Sequence, residues 1–210
     1  SLSLDANTTG NYNIAVGYTS LGSNTSGSSN TSVGYAALQV NTTASNNSAF
    51  GNGALYLNTT GNDNTGLGYY ALGANTTGTQ NTAVGYQALD ANTNANNNTA
   101  VGHQALSANT TGTENTAVGS SCLDVNTTAT ANSGFGFGAL GANTTGGNNT
   151  ALGHTALVSN TTASDNTAVG YRSLLANTTG TANVAIGGRA LEDNTTASNN
   201  LAIGNLALST

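Results

Sequence analysis

The sequence predicts an all-β chain wound as a parallel β-solenoid, or β-roll, of twelve 17-residue coils. Three observations predict it. One asparagine recurs at Asn13, Asn30, Asn47, Asn64, Asn81, Asn98, Asn115, Asn132, Asn149, Asn166, Asn183 and Asn200, every step being 17 residues. A unit of that length is too short for a strand–helix or helix–helix repeat. Each unit also carries a β-branched, alternating stretch such as Thr82-Ala83-Val84 running into a constant glycine, here Gly85. That pattern favours a short strand followed by a turn.

With the recurring asparagine as position 1, position 4 is always apolar (Val16, Phe50, Leu67, Ile186 among them), position 5 is always Gly and position 9 always Leu. Positions 12 and 13 are always Asn-Thr, beginning with Asn7-Thr8, and position 15 is always Gly or Ala. The apolar residues at positions 4 and 9, with alanine, are expected to form a thin core between two short strands and two tight turns. Glycine at position 5 supplies a positive φ or a close backbone approach. Asparagine at fixed turn positions tolerates the left-handed conformation. Stacked about 4.8 Å apart, buried asparagines form amide ladders. Twelve coils at that rise make a rod of roughly 55–60 Å, held by summed contacts between neighbours. A core this thin suggests that one side packs on something else, most simply on identical chains.

Residues 1–210 read as a single continuous repeat segment without an atypical capping unit, so we expect a piece of a longer fibrous protein. Only 5% of the residues are charged, and Arg172 and Arg189 are the only basic side chains besides two histidines, against a net charge of −6. Nucleic-acid binding needs clustered Lys and Arg, and attraction to an anionic membrane needs the same. No apolar run approaches the ~18 residues of a membrane span. Cys122 stands alone, which excludes an internal disulfide framework and fits a small buried thiol.

No constellation for catalysis emerges. Asp63, Glu114 and Asp165 share position 17 but lie three coils apart, about 14 Å, too far for a glycosidase pair. Asp90, Asp124 and Glu192 share position 10, and His103 and His154 share position 6, again on separated coils. No metal, cofactor or enzymatic activity is expected. The motif at positions 12–14 matches a glycosylation sequon everywhere except Asn92-Thr93-Asn94. Acceptors about 5 Å apart cannot all carry glycans, so a structural Asn/Thr ladder is the better reading.

Two columns invite contact. Tyr18, Tyr35, Tyr69, Tyr86 and Tyr171 all occupy position 6, as candidates for an interface between chains or for a receptor, since tyrosine joins a large apolar body to a polar tip. Positions 14 and 16 bracket the small residue at position 15, giving the pairs Thr77/Thr79, Thr111/Thr113, Thr128/Thr130 and Thr179/Thr181. In a strand each pair shares a face, which makes a flat threonine surface that could bind ice.

The stretches Asn183-Val184-Ala185-Ile186-Gly187 and Asn200-Leu201-Ala202-Ile203-Gly204 resemble the head repeat of YadA-like trimeric autotransporter adhesins. The fuller pattern from Asn81 to Leu89, with Asn-Thr-Thr-Gly as at Asn109 to Gly112, is similar to repeat stalks of phage tail fibres and bacterial surface proteins. The resemblance implies a parallel trimer of rolls, found outside the cell or on a virion. It also implies a structural and adhesive role towards a surface glycan or protein receptor. An ice-binding solenoid is the alternative expectation.

Overall fold

The computed structural model describes residues 2–209. The chain divides into two compact units, Ser1–Gln104 and Ala105–Thr210. The first holds β1 (Ile14–Val16), β2 (Thr31–Val33), β3 (Ser48–Phe50), β4 (Thr65–Leu67), β5 (Thr82–Val84) and β6 (Thr99–Val101). The second holds β7 (Thr116–Val118), β8 (Ser133–Phe135), β9 (Thr150–Leu152), β10 (Thr167–Val169), β11 (Val184–Ile186) and β12 (Leu201–Ile203). Within each unit every strand pairs in parallel with the next, one repeat further on, as in Thr65↔Thr82 and Thr150↔Thr167. Both units are therefore parallel β-solenoids with one repeat per coil, and no described residue is helical.

Each coil has one three-residue strand, where two were expected. The rest is a chain of turns: in one coil the N–H of Ala54 donates to Gly51, that of Tyr56 to Gly53 and that of Asn58 to Leu55, at 3.2–3.4 Å. Left-handed residues at positions 7, 9 and 17 (Tyr70, φ 50°; Leu72, φ 55°; Gln80, φ 59°) stop any longer extended run. Coils are nevertheless bonded around their circumference. The N–H groups of Thr65, Leu72, Ala74 and Thr76 donate to the following coil, and those of Gly68, Tyr70 and Gln80 to the preceding one, at 2.8–3.1 Å. Backbone polarity is thus satisfied almost residue by residue, as a buried chain requires.

The interior is made of alanine, leucine and asparagine. Ala83, Ala88 and Leu89 are each fully buried, as are Ala151, Ala156 and Leu157 in the second unit. Position 4, expected in the core, faces outward. Leu67 is 46% and Leu152 49% exposed, while position 3 between the outward residues is buried. Strand alternation puts positions 2 and 4 on one face and position 3 on the other. The coil is so narrow that only Ala, Ser or Gly fits at position 3, so the large residue belongs outside. The invariant leucine, not the variable apolar residue, is the core. It holds φ between 47° and 55°, a conformation costing about 1–2 kcal/mol for a non-glycine residue. Burying the leucine side chain returns about 1.5–3 kcal/mol, enough to offset that strain.

Glycine is required at position 5. Gly85 has φ +140°, and a Cβ there would lie 2.3 Å from the carbonyl oxygen of Gly102. Neighbouring coils pass so closely here that no side chain fits between them.

Two buried asparagine columns line the interior, at positions 1 and 12. Asn75 Nδ2 donates to Asn58 Oδ1 of the coil before (2.8 Å) and to the Gly78 carbonyl of its own coil (3.0 Å). The same carbonyl accepts Asn64 Nδ2 at 2.8 Å, and Asn64 Oδ1 accepts the backbone N–H of Asn81 at 3.0 Å. Asn143, Asn132 and Gly146 repeat this in the second unit. The expected ladders are present, but by hydrogen bonding and not by left-handed turns. The left-handed positions are 7, 9 and 17. The invariant threonine has its own rung, as when Thr59 Oγ1 donates to the Thr76 carbonyl at 2.9 Å. Burial of Asn75 and its neighbours makes the sequon reading untenable.

We expect Leu89→Ala to cost about 2–5 kcal/mol in a urea titration. Gly85→Ala, a change of one methyl group, should cost about 3 kcal/mol or more, because strain and a backbone clash act together. A Gly85→Ala protein as stable as the parent would contradict the close approach.

Candidate functional site

The outward side of the strands carries the most distinctive surface. Position 4 presents a row of Val, Phe, Leu and Ile, and position 6, just past the invariant glycine, presents aromatic rings beside it. In the first unit Tyr18 stacks on Tyr35 (5.8 Å between centroids), and Tyr69 stacks on Tyr86 (5.3 Å), which stacks on His103 (5.2 Å). Asn52 interrupts the column between the two groups. In the second unit His154 lies between Phe137 (5.2 Å) and Tyr171 (5.7 Å). The spacing follows the strand separation of about 4.8 Å, and each offset stack contributes about 0.5–1.5 kcal/mol. Of the five tyrosines singled out from sequence, Tyr18, Tyr35, Tyr69 and Tyr86 thus fall on the outward position-6 column of the first unit, and Tyr171 falls on that of the second. The histidines are members of these stacks.

The threonine pairs divide by position. Thr77, Thr111, Thr128 and Thr179 at position 14 are exposed, and the small residues after them are buried. They lie in bends and not in strands, since left-handed position 17 and the asparagine at position 12 turn the chain here. Position 16 (Thr79, Thr113, Thr130, Thr181) belongs to a structural column. The backbone N–H of Thr79 donates to Asn96 Oδ1 at 2.7 Å, and that of Thr181 to Ser198 Oγ at 2.9 Å. The acceptors seen in this column are Asn and Ser side chains, as also where Gly147, which has none of its own, donates its N–H to Ser164 Oγ at 3.1 Å.

Among the described residues no group of three or more His, Cys, Asp or Glu could hold a metal ion. Burial pushes the Asp90 and Asp124 carboxyls above the usual carboxylate range. Both arginines of the chain meet one buried acid: Arg172 Nε lies 2.8 Å from Glu192 Oε1, and Arg189 Nε donates to Glu192 Oε2. This clamp ties two successive coils and keeps a buried carboxylate paired, without which it would be costly. Cys122 is fully buried at position 8. The facing residue of the next coil is Gly134, where a Cβ would lie 2.5 Å from the sulfur.

One aromatic group was missed from sequence. Tyr70, at position 7, lies 4.8 Å from Tyr69 and 6.4 Å from Tyr56, at position 10 of the preceding coil. The signal was available in the variable columns 7 and 10, which bring Tyr56, Tyr70 and Asp90 together when read down the 17-residue register.

Burial raises the Cys122 thiol to about 12 from 9.0. Iodoacetamide at pH 8 should leave the folded protein unmodified and alkylate Cys122 in denaturant, read by intact mass. The sign for stability follows. Between pH 9 and 12 the unfolded chain releases this proton while the folded chain retains it, so stability falls as pH rises through that window. Rapid alkylation of the folded chain would contradict the burial.

No family model, no curated protein and no solved structure matches this chain.

Proposed function

We propose that this chain is a structural, adhesive segment of an extracellular fibre, a cell-surface adhesin or a phage tail fibre, and that it is not an enzyme. The observation that carries this is the outward surface of each unit, apolar at position 4 of every coil and aromatic at position 6 of most. Leu67, Phe135 and Leu152 are 39–49% exposed, and Tyr18 and Tyr171 more than half. A contiguous apolar surface of this kind on a soluble protein marks a contact site.

Three chains side by side, each turning this surface to a common axis, cover it. Such a homotrimer leaves the polar turns outward, where a glycan or protein receptor can be met by many equivalent positions. Weak contacts repeated along a stiff support gain strength by avidity. Within each unit the support is stiff, because successive coils are fixed to one another by backbone and amide hydrogen bonds, and fibre segments need that property.

One observation favours a second reading. In the second unit Thr111, Thr128, Thr145, Thr162, Thr179 and Thr196 are exposed on successive coils at position 14. An uninterrupted threonine column is the feature an ice-binding solenoid needs. In the first unit Ser26 and Asn94 break it.

Sedimentation equilibrium separates the two. The fibre reading predicts a mass three times the 20.6 kDa chain, reduced to the monomer by Leu67→Asp with Leu152→Asp. A monomeric parent that shows thermal hysteresis of freezing, abolished by Thr128→Tyr, would overturn it in favour of ice binding.

A further inference from the structure

We propose that the cleft bordered by Tyr56, Tyr70 and Asp90 on the first unit binds an uncharged pyranose sugar. The proposal rests on the surface-contact reading for its role and gives that reading a ligand class and a place. The cleft is a shallow, open depression of about 320 Å³ lined by Tyr56, Leu57, Tyr70, Gly73, Ala74 and Asp90, which leaves a bound sugar exposed on one side. Tyr56 and Asp90 stand at position 10 of coils two apart, and Gly73 holds that position between them. At the strand spacing their backbones lie about 10 Å apart, and the Tyr70 ring and the Asp90 carboxylate both close down over Gly73 between them.

The glycines make the room. A Cβ on Gly73 would lie 2.7 Å from Asp90 Oδ1 and 2.8 Å from Tyr70 Cδ1, and a Cβ on Gly53 would lie 2.8–3.0 Å from three Tyr70 ring atoms. Both glycines occupy variable positions of the repeat, 7 and 10, so the fold does not demand them there. They seat the Tyr70 ring and the Asp90 carboxylate. The two rings are inclined at 56° with centroids 6.4 Å apart, forming two walls of one apolar corner.

Polar groups close the corner. Asp90 Oδ2 accepts Gln87 Nε2 at 3.5 Å, and Gln87 Oε1 accepts Gln104 Nε2 at 3.4 Å, a relay that orients the carboxylate. Asp90 is half-buried, and burial pushes its carboxyl pKa up. The first unit contains no Lys or Arg to pair with it. Aromatic faces carry partial negative charge and attract polarised C–H groups, which one face of a pyranose supplies. The carboxylate accepts hydroxyl protons from the ring edge. An acidic sugar or a phosphate would meet Asp90 with no cation to offset the repulsion. A quaternary ammonium ion would meet both the rings and the Asp90 carboxylate, but two rings do not enclose it and it offers no hydroxyl for the carboxylate to accept from, so it is the competing occupant that the test must separate.

The test is saturation-transfer difference NMR on the 210-residue chain with methyl glycosides of neutral hexoses and N-acetylhexosamines, with methyl glucuronide and tetramethylammonium as charged probes. At least one neutral glycoside should receive saturation on its C–H protons, and methyl glucuronide at pH 7 should receive less. Tyr70→Ala should reduce the transfer at least tenfold. Asp90→Asn, which preserves the shape, and Gly73→Ala, whose Cβ would displace the Tyr70 ring and the Asp90 carboxylate, should each weaken it. Unchanged circular dichroism and melting would show that these variants fold. Absence of transfer to every neutral glycoside, transfer indifferent to Tyr70→Ala and Asp90→Asn, or a stronger response from tetramethylammonium would overturn the proposal. A trimeric mass without sugar binding would remove this site alone and leave the fibre reading standing.

Discussion

The structure depends on one carbonyl group per coil and the two asparagines that converge on it. The carbonyl at position 15 turns inward and receives the side-chain amides of positions 1 and 12, as Gly78 receives Asn64 and Asn75. One bond draws the end of a coil to its beginning, and the other fixes its last corner. The remaining amide atoms reach the neighbouring coils, so the same residues close each ring and join it to the next. Asparagine alone suits the place. Leucine has no donor, aspartate would bury a charge without one, and glutamine is a methylene too long. A fully satisfied network in a low-dielectric interior holds strongly because each member would be costly to leave unpaired.

From this follows the distribution of everything else. An interior lined by amides and alanine has room for one leucine per coil and no more. Large apolar and aromatic residues are driven to the outside, where they gather at positions 4 and 6. This chain fills its interior with hydrogen-bonded amides and leaves its larger apolar side chains on the surface. Where a neighbour demands more space the repeat compensates locally. Cys122 is met by Gly134, and Ser20 is met by Ser32, to which its hydroxyl donates at 2.7 Å.

Much of this was legible in the sequence because each coil obeys the same constraints. The 17-residue step of Asn13 and its successors gave the parallel register, and the constancy of Gly17 and its equivalents gave the close approach. The asparagine ladders followed from stacking alone. The core is not legible at Val84 and its column, because a hydrophobic residue there suggests burial, whereas a three-residue strand over so narrow an interior turns its large residues outward. The second strand failed for a related reason. Leucine is not a residue expected at positive φ, so the left-handed turn at Leu72 and its equivalents carries no local signal. The candidate cleft was invisible in any single repeat, since Tyr56, Tyr70 and Asp90 belong to three coils and become neighbours only once the register is applied.

The most direct test of the central claim is the unfolding free energy of Asn75→Leu, a substitution of similar size that removes the amide. The change deprives Asn58 Oδ1 of its donor and takes from Asn92 Nδ2 the acceptor it holds at 2.7 Å. One buried oxygen losing its donor and one buried amide losing one of its acceptors, at about 1–3 kcal/mol each, give an expected loss of about 2–5 kcal/mol, despite the added apolar volume. A variant as stable as the parent, or more stable, would show that packing and not the amide ladder holds the coils together.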